Sequence, residues 1–156
     1  MRAELAAAAL LCACSLLGGA VSRGDCEWES FQNLAYSQMQ ETFRICPPDT
    51  QVDLYVRWSR ATIPPNTDLA DTMASLGHRV IPEMLVRIEQ SAKSSDQVAK
   101  WDLLFVLLRM QDGGHYAVAN DEQLMSRLER AVAAMTEPEL KKAAERTLGQ
   151  IKGQQS

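Results

Sequence analysis

The stretch CEWESFQNLAYSQMQETFRIC, residues 26–46, begins and ends on a cysteine. Within it Trp28, Phe31, Leu34, Ala35, Met39, Thr42, Phe43 and Cys46 recur at spacings of three and four. That pattern describes one face of an amphipathic helix. No Pro or Gly interrupts it. A continuous helix holds the two cysteines roughly 30 Å apart and on nearly opposite faces. A disulfide needs their Cα atoms within about 7 Å. Helix and bridge therefore exclude each other, and the periodicity favours the helix. Cys46 is then expected as a small core thiol, with Cys26 free or linked to a second chain. Unwinding of residues 26–33 is the alternative that would allow a Cys26–Cys46 disulfide.

Downstream, the chain reads as more helices. Cys46-Pro47-Pro48 stops the first one, because consecutive prolines lack donors and push the preceding residue out of the α region. Residues 51–61 carry two patterns at once. Val52, Tyr55, Val56 and Ser59 have helical spacing, whereas Val52, Leu54, Val56 and Trp58 alternate like a strand. A lone strand has no partner elsewhere in the sequence, so a helix is expected, with Thr50 and Asp53 as its capping-box-like start. Ile63-Pro64-Pro65-Asn66 forms a connector. Thr67 caps residues 68–76, and Gly77 ends them. Residues 79–92 follow with Pro82 in the first turn. Ser94-Ser95-Asp96 precedes a helix bearing Val98, Trp101, Leu104, Phe105 and Leu108. Asn120 or Asp121 starts another, with Leu124, Leu128, Val132 and Met135. Thr136-Glu137-Pro138-Glu139 starts the last. The expectation is an all-α single domain of about six or seven amphipathic helices, either an irregular bundle or a short solenoid.

At the other end, residues 5–21 (LAAAALLCACSLLGGAV) are apolar or small throughout. About 17 residues span roughly 26 Å as a helix, marginal for a ~30 Å hydrocarbon core. Ala20 and Ser22 suit a signal-peptidase site, so residues 1–22 are expected to be a cleaved signal peptide and 23–156 the mature domain. Leu11-Cys12-Ala13-Cys14 resembles a bacterial lipobox, and the alternative is a lipid anchor through Cys14. No later stretch reaches the ~18 apolar residues of a transmembrane helix. A secreted or periplasmic location is the expectation.

The 156 residues carry a formal charge of −4. With a pI near 5.2, that balance argues against binding nucleic acid through backbone phosphates. At 46% hydrophobic and 23% charged, the chain suits a single globular domain. The motifs for common chemistries are missing from the sequence. It has two histidines, His78 and His115, and no H-x-x-x-H or C-x-x-C spacing. It has no G-x-S-x-G elbow, P-loop or dinucleotide fingerprint. No catalytic residue, metal ligand or cofactor is expected from motifs. His78, after Gly77 at a helix end, reads as a cation complementing the dipole. Asp112, His115, Tyr116 and Asp121 share one glycine-rich loop, where a His–carboxylate pair could do acid–base work or hold a metal. Tyr55, Arg57, Trp58 and Arg60 form the best candidate contact patch, because Trp, Tyr and Arg dominate interface hot spots.

Leu76-Gly77, Leu108-Arg109 and Leu148-Gly149-Gln150-Ile151 each end an expected helix, and Val80-Ile81-Pro82 follows the first. This pattern, from Thr67 to Ile151, resembles HEAT-type α-solenoid repeats, whose first helix ends Leu-Gly-x-Ile and whose second begins near a Pro. Arg109 departs from the glycine of that pattern, and residues 112–119 insert an extra loop. The resemblance implies a binding surface and no reaction. The functional expectation is an exported, non-enzymatic helical protein that binds another protein through Tyr55, Arg57, Trp58, Arg60, His115 and Tyr116. One version is an inhibitor or accessory factor of a secreted or periplasmic enzyme. The alternative is a small enzyme or metal binder centred on Asp112, His115 and Asp121.

Overall fold

The computed structural model describes residues 23–62, 67–91 and 96–153. The expected signal segment with Cys12 and Cys14, the Ile63-Pro64-Pro65-Asn66 connector and Ser94-Ser95 lie outside the described residues. The described chain is all-α, with eight α-helices in one domain and no strand. They are α1 (Trp28–Phe31), α2 (Tyr36–Ile45), α3 (Pro48–Ala61), α4 (Thr67–Ala74), α5 (Ile81–Ser91), α6 (Gln97–Asp112), α7 (Glu122–Ala133) and α8 (Pro138–Gly153). Short 3₁₀ turns cover Arg23–Cys26, Gly77–Arg79 and Val118–Asn120. None of the described helices is long and apolar enough to cross a membrane.

Two rows organise these helices. Contacts run α2–α4–α6–α8 along one row and α3–α5–α7 along the other, while α3–α4, α5–α6 and α7–α8 contacts tie the rows together. α6 lies at the centre and packs on α3, α4, α5 and α8. Its Leu103, Leu104, Val106, Leu107 and Met110 are all buried. A helix apolar around most of its circumference is stable only inside such a ring of neighbours. α3 shows the same effect on a smaller scale. Val52, Leu54, Tyr55 and Val56 are all buried, so it faces the core on more than one side. Its start is set by Pro48 in the first turn, where a missing N–H is harmless, and not by Thr50.

The expected continuous helix over 26–46 is corrected by the structure. Cys26 and Cys46 form a disulfide, with Cα atoms 5.9 Å apart. The chain breaks between α1 and α2, and Ala35 adopts extended φ/ψ ahead of α2. Asn33 Nδ2 donates to the Glu29 carbonyl at 2.6 Å, a side-chain bond that competes with helix propagation. Backbone bonds from Asn33 to Ser30 and from Leu34 to Phe31 tighten the turn. Phe31 of the first segment and Met39 and Phe43 of the second still point inward. Phe31 and Phe43 meet in a tilted ring contact with centroids 6.2 Å apart, and Trp58 of α3 meets Phe31 edge-on at 6.4 Å.

Long side chains from neighbouring elements close the helix ends. Gln51 Nε2 donates to the Phe43 carbonyl at 2.6 Å. Arg79 donates to the carbonyls of Arg44 and Cys46 at 3.1 and 3.2 Å. At the far end, α6 holds the α7–α8 turn. Lys100 Nζ donates to the Ala131 carbonyl in the last turn of α7, and Lys141 donates to that of Ala133 at 3.0 Å. Gln97 Oε1 accepts from the amides of Thr136 and Glu137 at 2.9 and 3.0 Å. Its Nε2 donates to Thr136 Oγ1 at 2.6 Å. Helix C-termini leave carbonyls unsatisfied and carry partial negative charge, so an ammonium there suits both needs.

Two outcomes are expected. Closing a loop of this length by a disulfide stabilises by roughly 3 kcal/mol. A Cys26→Ser/Cys46→Ser chain should therefore lose about that much in urea unfolding, and an unchanged midpoint would contradict the bridge. Lys100 is fully buried, and burial pushes its ammonium down to about 8. The unfolded chain, with a lysine near ~10.4, then binds more protons between those values. Stability contributed at this site rises as pH climbs from about 8 towards ~10.4. Unfolding of wild type and Lys100→Met at pH 7 and pH 10 should show the difference moving in favour of wild type. A pH-independent difference would refute it.

Candidate functional site

The four residues read as a contact patch do not share one surface. Tyr55 lies in the core, 4% exposed, and its hydroxyl donates to the Asp102 carbonyl at 3.4 Å. Burial pushes that phenol above its ordinary value, with Asp102 and Asp71 adding to the effect. Trp58 is half-buried against Phe31. Arg57 and Arg60 are exposed. Arg60 pairs with Asp96, the N-cap of α6. The hydrogen bond from Arg60 holds the Asp96 carboxyl below its usual range.

Glycine backbone angles and hydrogen bonds to the last turn of α6 shape the loop that follows it. Gly114 takes φ +66° and Gly77 takes φ +59°, the left-handed region that favours glycine. A Cβ on Gly77 would stand 3.1 Å from the His115 carbonyl oxygen, so the loop lies close on the turn after α4. The amides of His115 and Tyr116 both donate to the Met110 carbonyl, at 2.9 and 3.3 Å. His115 is exposed. Tyr116 Oη donates to Asp121 Oδ2 at 2.7 Å. Asp121 Oδ1 accepts from the Leu124 amide at 2.9 Å as the N-cap of α7. The Leu124 amide and then the Tyr116 hydroxyl pull the Asp121 carboxyl below its usual range. Asp121 thus works as a cap tied to Tyr116. No group of three or more His, Cys, Asp or Glu among the described residues is arranged to hold a metal. His78 is exposed in the 3₁₀ turn Gly77–Arg79.

Two features were missed in the sequence reading. The first is a furrowed face on the α3–α5–α7 row. A groove of about 470 Å³ between α5 and α7 is lined by Val86, Glu89, Gln90, Arg127, Arg130, Ala131 and Ala134. A second, of about 180 Å³, runs between α3 and α5 past Asp49, Asp53, Glu83 and Arg87. Both grooves include Val86 and Gln90, and Val86 is 44% exposed. Arg127 makes a two-pronged bond to Glu89 at 2.7 and 2.8 Å. Asp53 lies 3.8 Å from Arg87. The second feature is a cavity of about 220 Å³ between α3, α4 and α6, bordered by Tyr55, Ser59, Thr67, Ala70, Trp101, Asp102 and Phe105. Asp102 stands alone as an acid in the apolar run Trp101 to Leu108, which was the signal available for it.

Removing the cap should separate Asp121 from His115. Asp121→Ala should lower stability by about 1 kcal/mol at neutral pH. A depressed carboxyl stabilises above its unfolded pKa and loses that contribution as pH falls through the folded one, so the deficit should shrink in acid. His115→Ala should change unfolding by no more than about 0.5 kcal/mol. Equal losses in the two variants would contradict these roles. No protein-family model, curated protein or solved structure matches the chain.

Proposed function

We propose that the protein acts outside the cytosol as a non-enzymatic module that binds another protein on the face of the α3–α5–α7 row. The observation that carries this reading is the pair of grooves meeting at Val86. An exposed aliphatic side chain there is ringed by charges of both signs, with Asp49, Asp53, Glu83 and Arg87 on one side and Glu89, Arg127 and Arg130 on the other. An apolar centre within a polar rim is the usual anatomy of a protein interface. The two rows of stacked helices support the solenoid-like reading, in which neighbouring repeats present one extended surface. The Cys26–Cys46 bridge supports an extracytoplasmic location, because disulfides persist in oxidising compartments. An inhibitor or accessory factor of an exported enzyme is the version in keeping with a small, disulfide-closed chain.

The test is capture from the exported fraction of the source cells with wild type, Val86→Glu, Arg130→Glu and a control, Glu145→Lys on α8. A partner held by wild type and the control, and bound at least ~10-fold more weakly by Val86→Glu, is the expected result. A partner indifferent to both face variants would remove this face from the reading. Recovery of no partner at all would remove the binding function.

A further inference from the structure

The cavity between α3, α4 and α6 combines an aromatic wall with a carboxyl. Tyr55, Trp101 and Phe105 supply the rings, and Ser59 and Asp102 supply the polar end. Asp102 is 8% exposed. Ser59 Oγ lies 2.9 Å from Asp102 Oδ2 and 3.0 Å from the Val56 carbonyl. The charged groups acting on Asp102 are Arg60 and Asp96, and Arg60 is already engaged by Asp96. Burial pushes the Asp102 carboxyl above its usual range, against the downward pull of Ser59 and Arg60.

An ionised carboxyl in apolar surroundings is costly unless a cation joins it. Aromatic faces attract cations as well. A ligand with a positive head and a short apolar stem satisfies both demands: the head beside Asp102, the stem along Trp101 and Phe105. The small volume, about 220 Å³, is below the usual ~300–1,000 Å³ of drug-sized sites. It suits a single chain of a few carbons. We infer that this cavity binds an organic cation of the alkylammonium type, as a free amine or as a lysine side chain of another protein. None of the cavity's lining residues lines the grooves around Val86.

The experiment titrates the protein with n-butylammonium chloride, its neutral analogue 1-butanol and a blocked lysine amide. Binding is followed by calorimetry and by the Trp101 indole N–H in NMR spectra. Butylammonium should saturate with a dissociation constant in the millimolar range, as about five heavy atoms allow. 1-Butanol should bind at least ~10-fold more weakly. Lysine amide binding alongside butylammonium shows that the site admits a lysine side chain as well as a free amine; butylammonium binding alone restricts it to free amines. Asp102→Asn should weaken butylammonium at least ~10-fold while melting at or above the wild-type temperature, since it removes a buried charge. Phe105→Leu provides a second variant and should weaken binding several-fold. Val86→Glu should leave it unchanged, which separates this site from the protein-binding face. Equal affinity for butanol and butylammonium, undiminished binding by Asp102→Asn, or no saturation below about 50 mM would each overturn the inference.

Discussion

The arrangement depends on α6 being surrounded. Its sequence is too apolar to stand at a surface, and the other helices reach a stable packing by covering it. Three polar residues in its first half, Gln97, Lys100 and Asp102, are buried. Gln97 and Lys100 explain themselves, because they satisfy backbone groups at the α7–α8 turn that would otherwise be left without partners. Asp102 has no such backbone duty. It faces a cavity, and its main described partner is one serine hydroxyl.

At the opposite end, a covalent bond does what packing does elsewhere. α1 has only four residues, far below the length at which a helix holds itself together. Phe31 is nonetheless fully buried, fixed between Phe43 and Trp58. The disulfide ties the turn before α1 to the end of α2, where Arg79 and Gln51 also converge on the last carbonyls. Bridge, ring contacts and capping bonds reinforce one another within a small volume.

Much of the fold was legible in the sequence, for reasons particular residues make plain. Asp121 and Asp96 cap helices where short acids precede an apolar repeat. Gly77 takes a backbone angle that favours glycine in the turn after α4, although that helix ends earlier, at Ala74. The misreading of 26–46 has an equally definite cause. Leu34 and Met39 are inward-facing residues five apart, and Ala35, which carried the stripe across that gap, is exposed. A repeat of threes and fours shows which residues face inward, and it does not show that one axis runs through them. The strand-like alternation in α3 likewise came from burial on several sides. Neither the grooves nor the cavity was legible, since Val86, Arg127 and Asp53 are far apart in sequence and meet only when helices stack. Asp102 was visible as an isolated acid, but the ring of Tyr55, Trp101 and Phe105 around it is a product of tertiary packing.

The row arrangement also sets how damage would spread. Each helix leans chiefly on its nearest neighbours in the stack, so opening events should stay local at the edges and become global at the middle. Amide protons of α1 and the outer side of α8 would then exchange through small fluctuations, whereas those of α6 would be released only when the whole molecule comes apart.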